Sequence, residues 1–320
     1  MTGAIIPDRP PPAAAGTQAS KPTGCTALRA RGEEWRVRFG ASRRRSLGRG
    51  LSIALAACLL SPVGAGGRDG ETVRVVYEPP KTAAFREIHD EMRQSRVLER
   101  VGAIIGLVRL PARLTYRLQE CAGERNAWYA PEDHSVTVCY ELIDSVVRAA
   151  PRTRSASGIT RQDAIRGPVI QILLHESSHA LFDLLDIPIL GREEDAADQV
   201  ASFILLHLAP ADARMVVAGS GHFFATLGRH EIIDQGAFAD VHGLSWQRFY
   251  NLACLAYGSD KRRYRPILAR NDLPRERAEG CEEEFGQAAF AFRKLIGPHL
   301  RMQPIDGERL RRAFRSAFKP

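Results

Sequence analysis

Residues 175–179 read His-Glu-Ser-Ser-His and close the apolar run 169–174. On a helix, positions i and i+4 project from one face, so His175 and His179 can offer imidazole nitrogens to one cation. Zinc accepts such ligands in tetrahedral geometry. Glu176 lies one residue around the helix, beside the ion rather than on it. There its carboxylate can take a proton from a water and act as general base. The bland alternative is chance, or a pair of satisfied core histidines; chance alone produces the pattern in on the order of one per cent of such chains.

A catalytic zinc takes a third protein ligand and keeps its fourth position open. The stretch Arg-Glu-Glu-Asp-Ala-Ala-Asp-Gln follows at 192–199, after a segment whose Pro188 and Gly191 can turn the chain back. Glu194 is the expected ligand, with Glu193 and Asp195 in reserve. Asp198, four residues on, is placed to accept the free ring N–H of a ligating histidine. Acids that open a helix also complement its macrodipole. That accounts for 193–195, but not for an aspartate deeper in an increasingly apolar helix.

The elements that must position these groups are legible in outline. Residues 72–77 form a strand candidate closed by Pro79-Pro80, and 83–100 read as one surface helix. Residues 107–121 and 126–141 are β-rich, with Tyr116 and Leu118 sharing one face and Val136, Val138 and Tyr140 another. The 130–135 segment, between Tyr129 and Val136, has turn chemistry. From Leu142 the pattern is helical. Thr160 and Asp163 look like an N-cap pair, and Gly167-Pro168 precedes or kinks the histidine run. Helices are expected over 192–208, 211–227, 245–257, 274–297 and 306–317, and no internal repeat is present. This is an α+β chain, a small sheet followed by a mostly helical part.

The net charge of +8 suggests a nucleic-acid partner, but all except about +1 lies before Gly66. The remainder is nearly neutral, which argues against nucleic acid. The basic excess belongs to a leader. Arg43-Arg44-Arg45 and Arg49 precede an apolar stretch at 51–60 and the small residues Val63-Gly64-Ala65, the layout of a signal peptide over 36–65. Residues 1–35 are Pro/Ala-rich and read as disordered, or as preceding the true start. Cys58 sits in a sequence resembling a lipoprotein box, so membrane association is expected only if it is lipidated. The expectation is one exported domain at 66–320, periplasmic or secreted. After the leader four cysteines remain: Cys121, Cys139, Cys254 and Cys281. In an oxidising compartment they read as two disulfides, of three possible pairings, and short separations favour 121–139 with 254–281. The basic helix at the C-terminus reads as a solvated face rather than a membrane anchor.

The HESSH motif followed by Glu-Asp-Ala-Ala-Asp at 194–198 resembles the gluzincin, thermolysin-like metallopeptidases. The stretch 116–290 is also similar to a bacterial family of metallopeptidases known chiefly as a domain of unknown function. The resemblance implies a zincin-like fold, Zn2+ on His175, His179 and Glu194, and a peptide or protein substrate. Asn126-Ala127-Trp128-Tyr129 resembles the edge strand that pairs with substrate in such enzymes, a mode that uses main-chain hydrogen bonds. His242, with Asp240 or Asp234, matches in chain order the late histidine that stabilises the oxyanion. Two other readings remain open: a catalytically silent scaffold of the same shape, and a zinc amidohydrolase acting on a non-peptide envelope substrate.

Overall fold

The computed structural model describes residues 72–319, apart from 156–157, 271 and 304–305. The leader features, Cys58 included, lie outside the described residues. The chain is mixed α+β, with a small sheet preceding a mostly helical part.

The sheet has four strands, β1 (Val73–Tyr77), β2 (Leu114–Gln119), β3 (Ala127–Ala130) and β4 (Ser135–Cys139), in the order β1-β2-β4-β3. β1, β2 and β4 run parallel, and β3 turns back antiparallel on β4 through the 131–134 turn, where His134 takes a positive φ of 51°. β2 alternates as expected, with Leu114, Tyr116 and Leu118 buried. β4 alternates in sequence, Ser-Val-Thr-Val-Cys, yet is buried at every position because it is flanked by strands and covered on its faces.

Residues 83–100 depart from the expected single surface helix. They form a short 3-10 turn and two helices, α1 (Arg86–Ser95) and α2 (Val97–Ile105). The break is Arg96, which adopts the left-handed region at φ 52°. It turns α2 so that Leu98, Val101, Ile104 and Ile105 are almost completely buried. The β-rich reading of 107–121 shrinks to β2, and Tyr140 and Glu141 belong not to β4 but to α3 (Tyr140–Ala149). Glu141 accepts hydrogen bonds from the backbone N–H groups of Cys121 and Gly123, tying that loop to the helix start.

The histidine helix is α4 (Arg161–Leu184), 24 residues that run through Pro168 without interruption. Thr160 and Asp163 close a reciprocal capping box at its start. Beyond it come α5 (Glu193–Leu206), α6 (Pro210–His230), the short α7 (Gln235–Ala239), α8 (Ser245–Ser259) and α9 (Lys261–Ala269). The helix expected over 274–297 is split by Gly280 into α10 (Arg275–Glu279) and α11 (Cys281–Leu295), and α12 (Gly307–Ala317) ends the chain. Disulfides join Cys121 to Cys139 and Cys254 to Cys281, the pairing favoured by the short separations. Among the described residues no helix is long and apolar enough to cross a membrane.

α4 packs on β3, β4, α5 and α6. Its crossing with α6 depends on glycines. A Cβ on Gly219 would collide with the Asp163 carbonyl, and one on Gly167 would come within 2.9 Å of the Gly219 Cα. Gly219→Ala should therefore cost at least about 2 kcal/mol, since backbone must move. Gly286→Ala, exposed within α11 and facing open space, should instead stabilise by about 0.5–1 kcal/mol. Urea unfolding of both variants checks this, and equal effects would refute the close-crossing account.

His207 illustrates a second constraint. Its ring lies tilted against that of Phe203, with centroids 4.2 Å apart, and donates from Nδ1 to the Phe203 carbonyl at 2.7 Å. Burial, with Arg311, Arg293 and Arg315 nearby, lowers its pKa to about 4. The folded protein thus needs this ring neutral, whereas the unfolded chain protonates it near pH 6.5. Its contribution is fully present above that value and is lost as pH falls toward 4, by about 3 kcal/mol in total. Unfolding free energies measured from pH 7.5 to 4 should fall less steeply by that amount in His207→Phe; parallel profiles would exclude the effect.

Candidate metal centre

α4 delivers His175, Glu176 and His179 to the end of the helix pair where α5 begins. Local chemistry holds that end of α4 in place. The Ser177 and Ser178 hydroxyls donate back to the Leu173 and Leu174 carbonyls, and the buried Tyr116 hydroxyl of β2 meets Ser177 Oγ at 2.6 Å. The two serines of the motif thus serve the backbone and the sheet rather than the site. On the neighbouring edge, Tyr129 of β3 donates to Asp183 of α4 at 2.6 Å.

α5 brings its acidic first turn to the same point. Glu194 Oε2 lies 3.0 Å from His175 Nε2 and 3.4 Å from His179 Nε2, and the two Nε2 atoms are 3.3 Å apart. The other ring nitrogens are spoken for. His175 Nδ1 pairs with Asp198 at 2.8 Å, and His179 Nδ1 with Glu193 at 2.7 Å. When each Nδ1 carries the proton, both Nε2 lone pairs and the Glu194 oxygen face one point. Three acceptors in such proximity require a positive charge between them. The spacing suits one ion, because ligands about 2.0–2.1 Å from a tetrahedral centre sit roughly 3.3 Å from each other. These residues fit a metal.

The surrounding acids favour positive charge at this point. Burial works against protonation of His175, but hydrogen bonds to Asp198 and Glu194 overcome it and raise its pKa to about 9. Burial also opposes charge on Glu194 and Asp198, yet their histidine partners, and Arg248 for Asp198, hold both well below the usual carboxylate range. Glu176 differs. It is 8% exposed, takes no hydrogen bond from a described residue, and burial pushes its carboxyl up.

The sequence reading left out Arg248. From α8 its guanidinium grips Asp198 through Nε at 2.7 Å and Nη2 at 2.8 Å, so Asp198 is held from both sides. The available signal was a lone arginine among the apolar and aromatic residues of 244–257. Glu193, a reserve ligand, lies on the far nitrogen of His179, and Asp195 is outside the group of three. His242 does reach the centre, with Nε2 2.9 Å from Glu194 and Nδ1 3.2 Å from Asp240. Asp234 instead caps α7 through the Ala237 N–H. Ala127 begins β3, the outer strand, and Asn126 precedes it, its Oδ1 accepting from the Ala127 N–H at 2.9 Å.

A family model, DUF4344, described as "Putative metallopeptidase", matches residues 77–296. The chain belongs to this family. No curated protein and no solved structure matches it significantly. Membership in DUF4344 implies a metal, and His175, His179 and Glu194 form a group able to hold one, their ligand atoms all within 4.8 Å of one another. The match ends before α12 and covers every residue named at this centre.

Proposed function

We propose that this DUF4344 member is an exported zinc metallopeptidase of the gluzincin type. The observation that carries the reading is the convergence of two imidazole nitrogens and one carboxylate oxygen on a single point, with a second carboxylate beside it that takes no hydrogen bond from a described residue. His175, His179 and Glu194 would hold the ion. When bound, zinc supplies Lewis-acid chemistry, acidifying water and polarising the scissile carbonyl.

The chain's own residues supply the rest. Glu176, its proton affinity raised by burial, accepts the proton of the attacking water and passes it to the leaving amine. Asp198 fixes the tautomer and orientation of His175 and is itself anchored by Arg248. His242, oriented by Asp240, donates from Nε2 to the oxyanion that develops at the carbonyl. β3 offers the main-chain groups of its outer edge to an extended peptide. β3 packs against α4 and is joined to it by the Tyr129–Asp183 hydrogen bond. The two disulfides are compatible with export.

Metal analysis of the purified protein tests this directly. About one zinc per chain is expected, largely lost in Glu194→Ala, with cleavage of a mixed peptide library that a chelator stops. A chain that binds no zinc on reconstitution would remove the reading. One zinc per chain without peptide cleavage would leave the scaffold alternative.

A further inference from the structure

Away from the metal centre, α6, α8 and α9 line a half-open cavity of about 450 Å³. This is within the ordinary range for small-molecule sites, roughly 300–1,000 Å³. Its walls are aromatic. Trp246 packs against the backbone of α6 at Gly228, where a Cβ would meet the indole at 2.7 Å, and it stacks with Tyr250 and meets Phe249 edge-on. Ile267 of α9 closes the apolar side.

The polar groups at the cavity are unevenly matched. Four arginines line it, against one acid, Asp272. Arg270 pairs with Asp272 and Arg263 with Asp260. Arg214 and Arg229 have no carboxylate partner among the described residues. Tyr264 also lines the cavity. It is 4% exposed, and its hydroxyl is shielded from solvent beside Arg263 and Arg214. The charge has the opposite sign to that of the carboxylate-rich metal centre. α8 separates the two, sending Arg248 to Asp198 and its aromatics to the cavity.

We propose that this cavity binds a small organic anion with a flat aromatic body, its carboxylate facing Arg214 and Arg229 and its rings among Trp246, Phe249 and Ile267. Guanidinium groups recognise carboxylates through paired N–H donors, and aromatic walls recognise a flat apolar body.

The test is calorimetric titration of the full chain with 2-naphthoate and with its neutral counterpart 2-naphthamide. One naphthoate per chain is expected, with the amide at least tenfold weaker. The double variant Arg214→Gln/Arg229→Gln should weaken naphthoate at least tenfold and leave the amide unchanged; both side chains are exposed, so folding should be unaffected. Ala218→Trp, which fills the cavity, should abolish binding. Glu194→Ala should leave binding intact, which separates this site from a carboxylate captured at the metal centre. Equal affinity for acid and amide, naphthoate binding lost in Glu194→Ala but kept in the arginine variant, or no naphthoate binding at all would each overturn the proposal. If Ala218→Trp does not fold, the arginine variant decides.

Discussion

Glu176→Gln should leave zinc bound at about one per chain and lower kcat toward peptides by about 10²–10⁴-fold, the usual contribution of a positioned general base. The amide keeps the shape of the buried side chain but cannot accept a proton. Metal content should hold because Glu176 is not among the three converging groups, His175, His179 and Glu194. Thermal stability should not fall either, since burial already disfavours the Glu176 carboxylate and the substitution removes a charge that no described residue hydrogen-bonds. The decisive comparison is kcat and zinc content on the same preparation. Undiminished cleavage with zinc in place would assign the base elsewhere, and loss of zinc would move Glu176 into the ligand set.

Asp198→Asn should produce two separable losses. Asp198 is the acceptor for His175 Nδ1 and the ion-pair partner of Arg248. Removing the acceptor's charge should weaken zinc binding about 10–100-fold, as removal of such supporting groups usually does. Removing the anion also leaves Arg248 as an uncompensated cation in a largely buried position. Breaking a buried pair costs about 3–5 kcal/mol. Because both side chains keep about a fifth of their exposure, the lower end, about 3 kcal/mol, is expected. Adding Arg248→Met should restore most of the stability without restoring metal affinity. Urea unfolding and chelator competition on the wild type, single and double variants measure the two losses independently. Recovery of both in the double variant would mean that Asp198 acts only through the fold.

The legibility of this chain in its sequence follows the range of each interaction. His175, Glu176 and His179 were visible because one helical turn fixes their spacing, whatever else the chain does. Glu194 and Asp198 were legible for the same local reason, once a turn was allowed between the helices. Arg248 was not, because its partner is 50 residues away, and a lone arginine in its own helix does not name that partner. The break between α1 and α2 was hidden by a residue that rarely takes positive φ, Arg96. For β4 the pattern showed one face, Val136 and Val138, while the burial of Ser135 and Thr137 on the other depends on packing that the strand's own sequence does not carry. The arginine-walled cavity combines three helices, and none alone carries a recognisable pattern.

The connectivity of the two disulfides bears on how the chain matures. Each bridge joins neighbouring cysteines in chain order, across 18 and 27 residues, and the first loop is complete before the second begins. A chain emerging N-terminus first can therefore close Cys121–Cys139 before Cys254 has appeared, and at that moment no wrong partner exists among these four. Oxidation in order of emergence reaches the native pairing with no reshuffling step. A fully reduced chain released from denaturant offers all four thiols at once, and only there do the two non-native pairings compete.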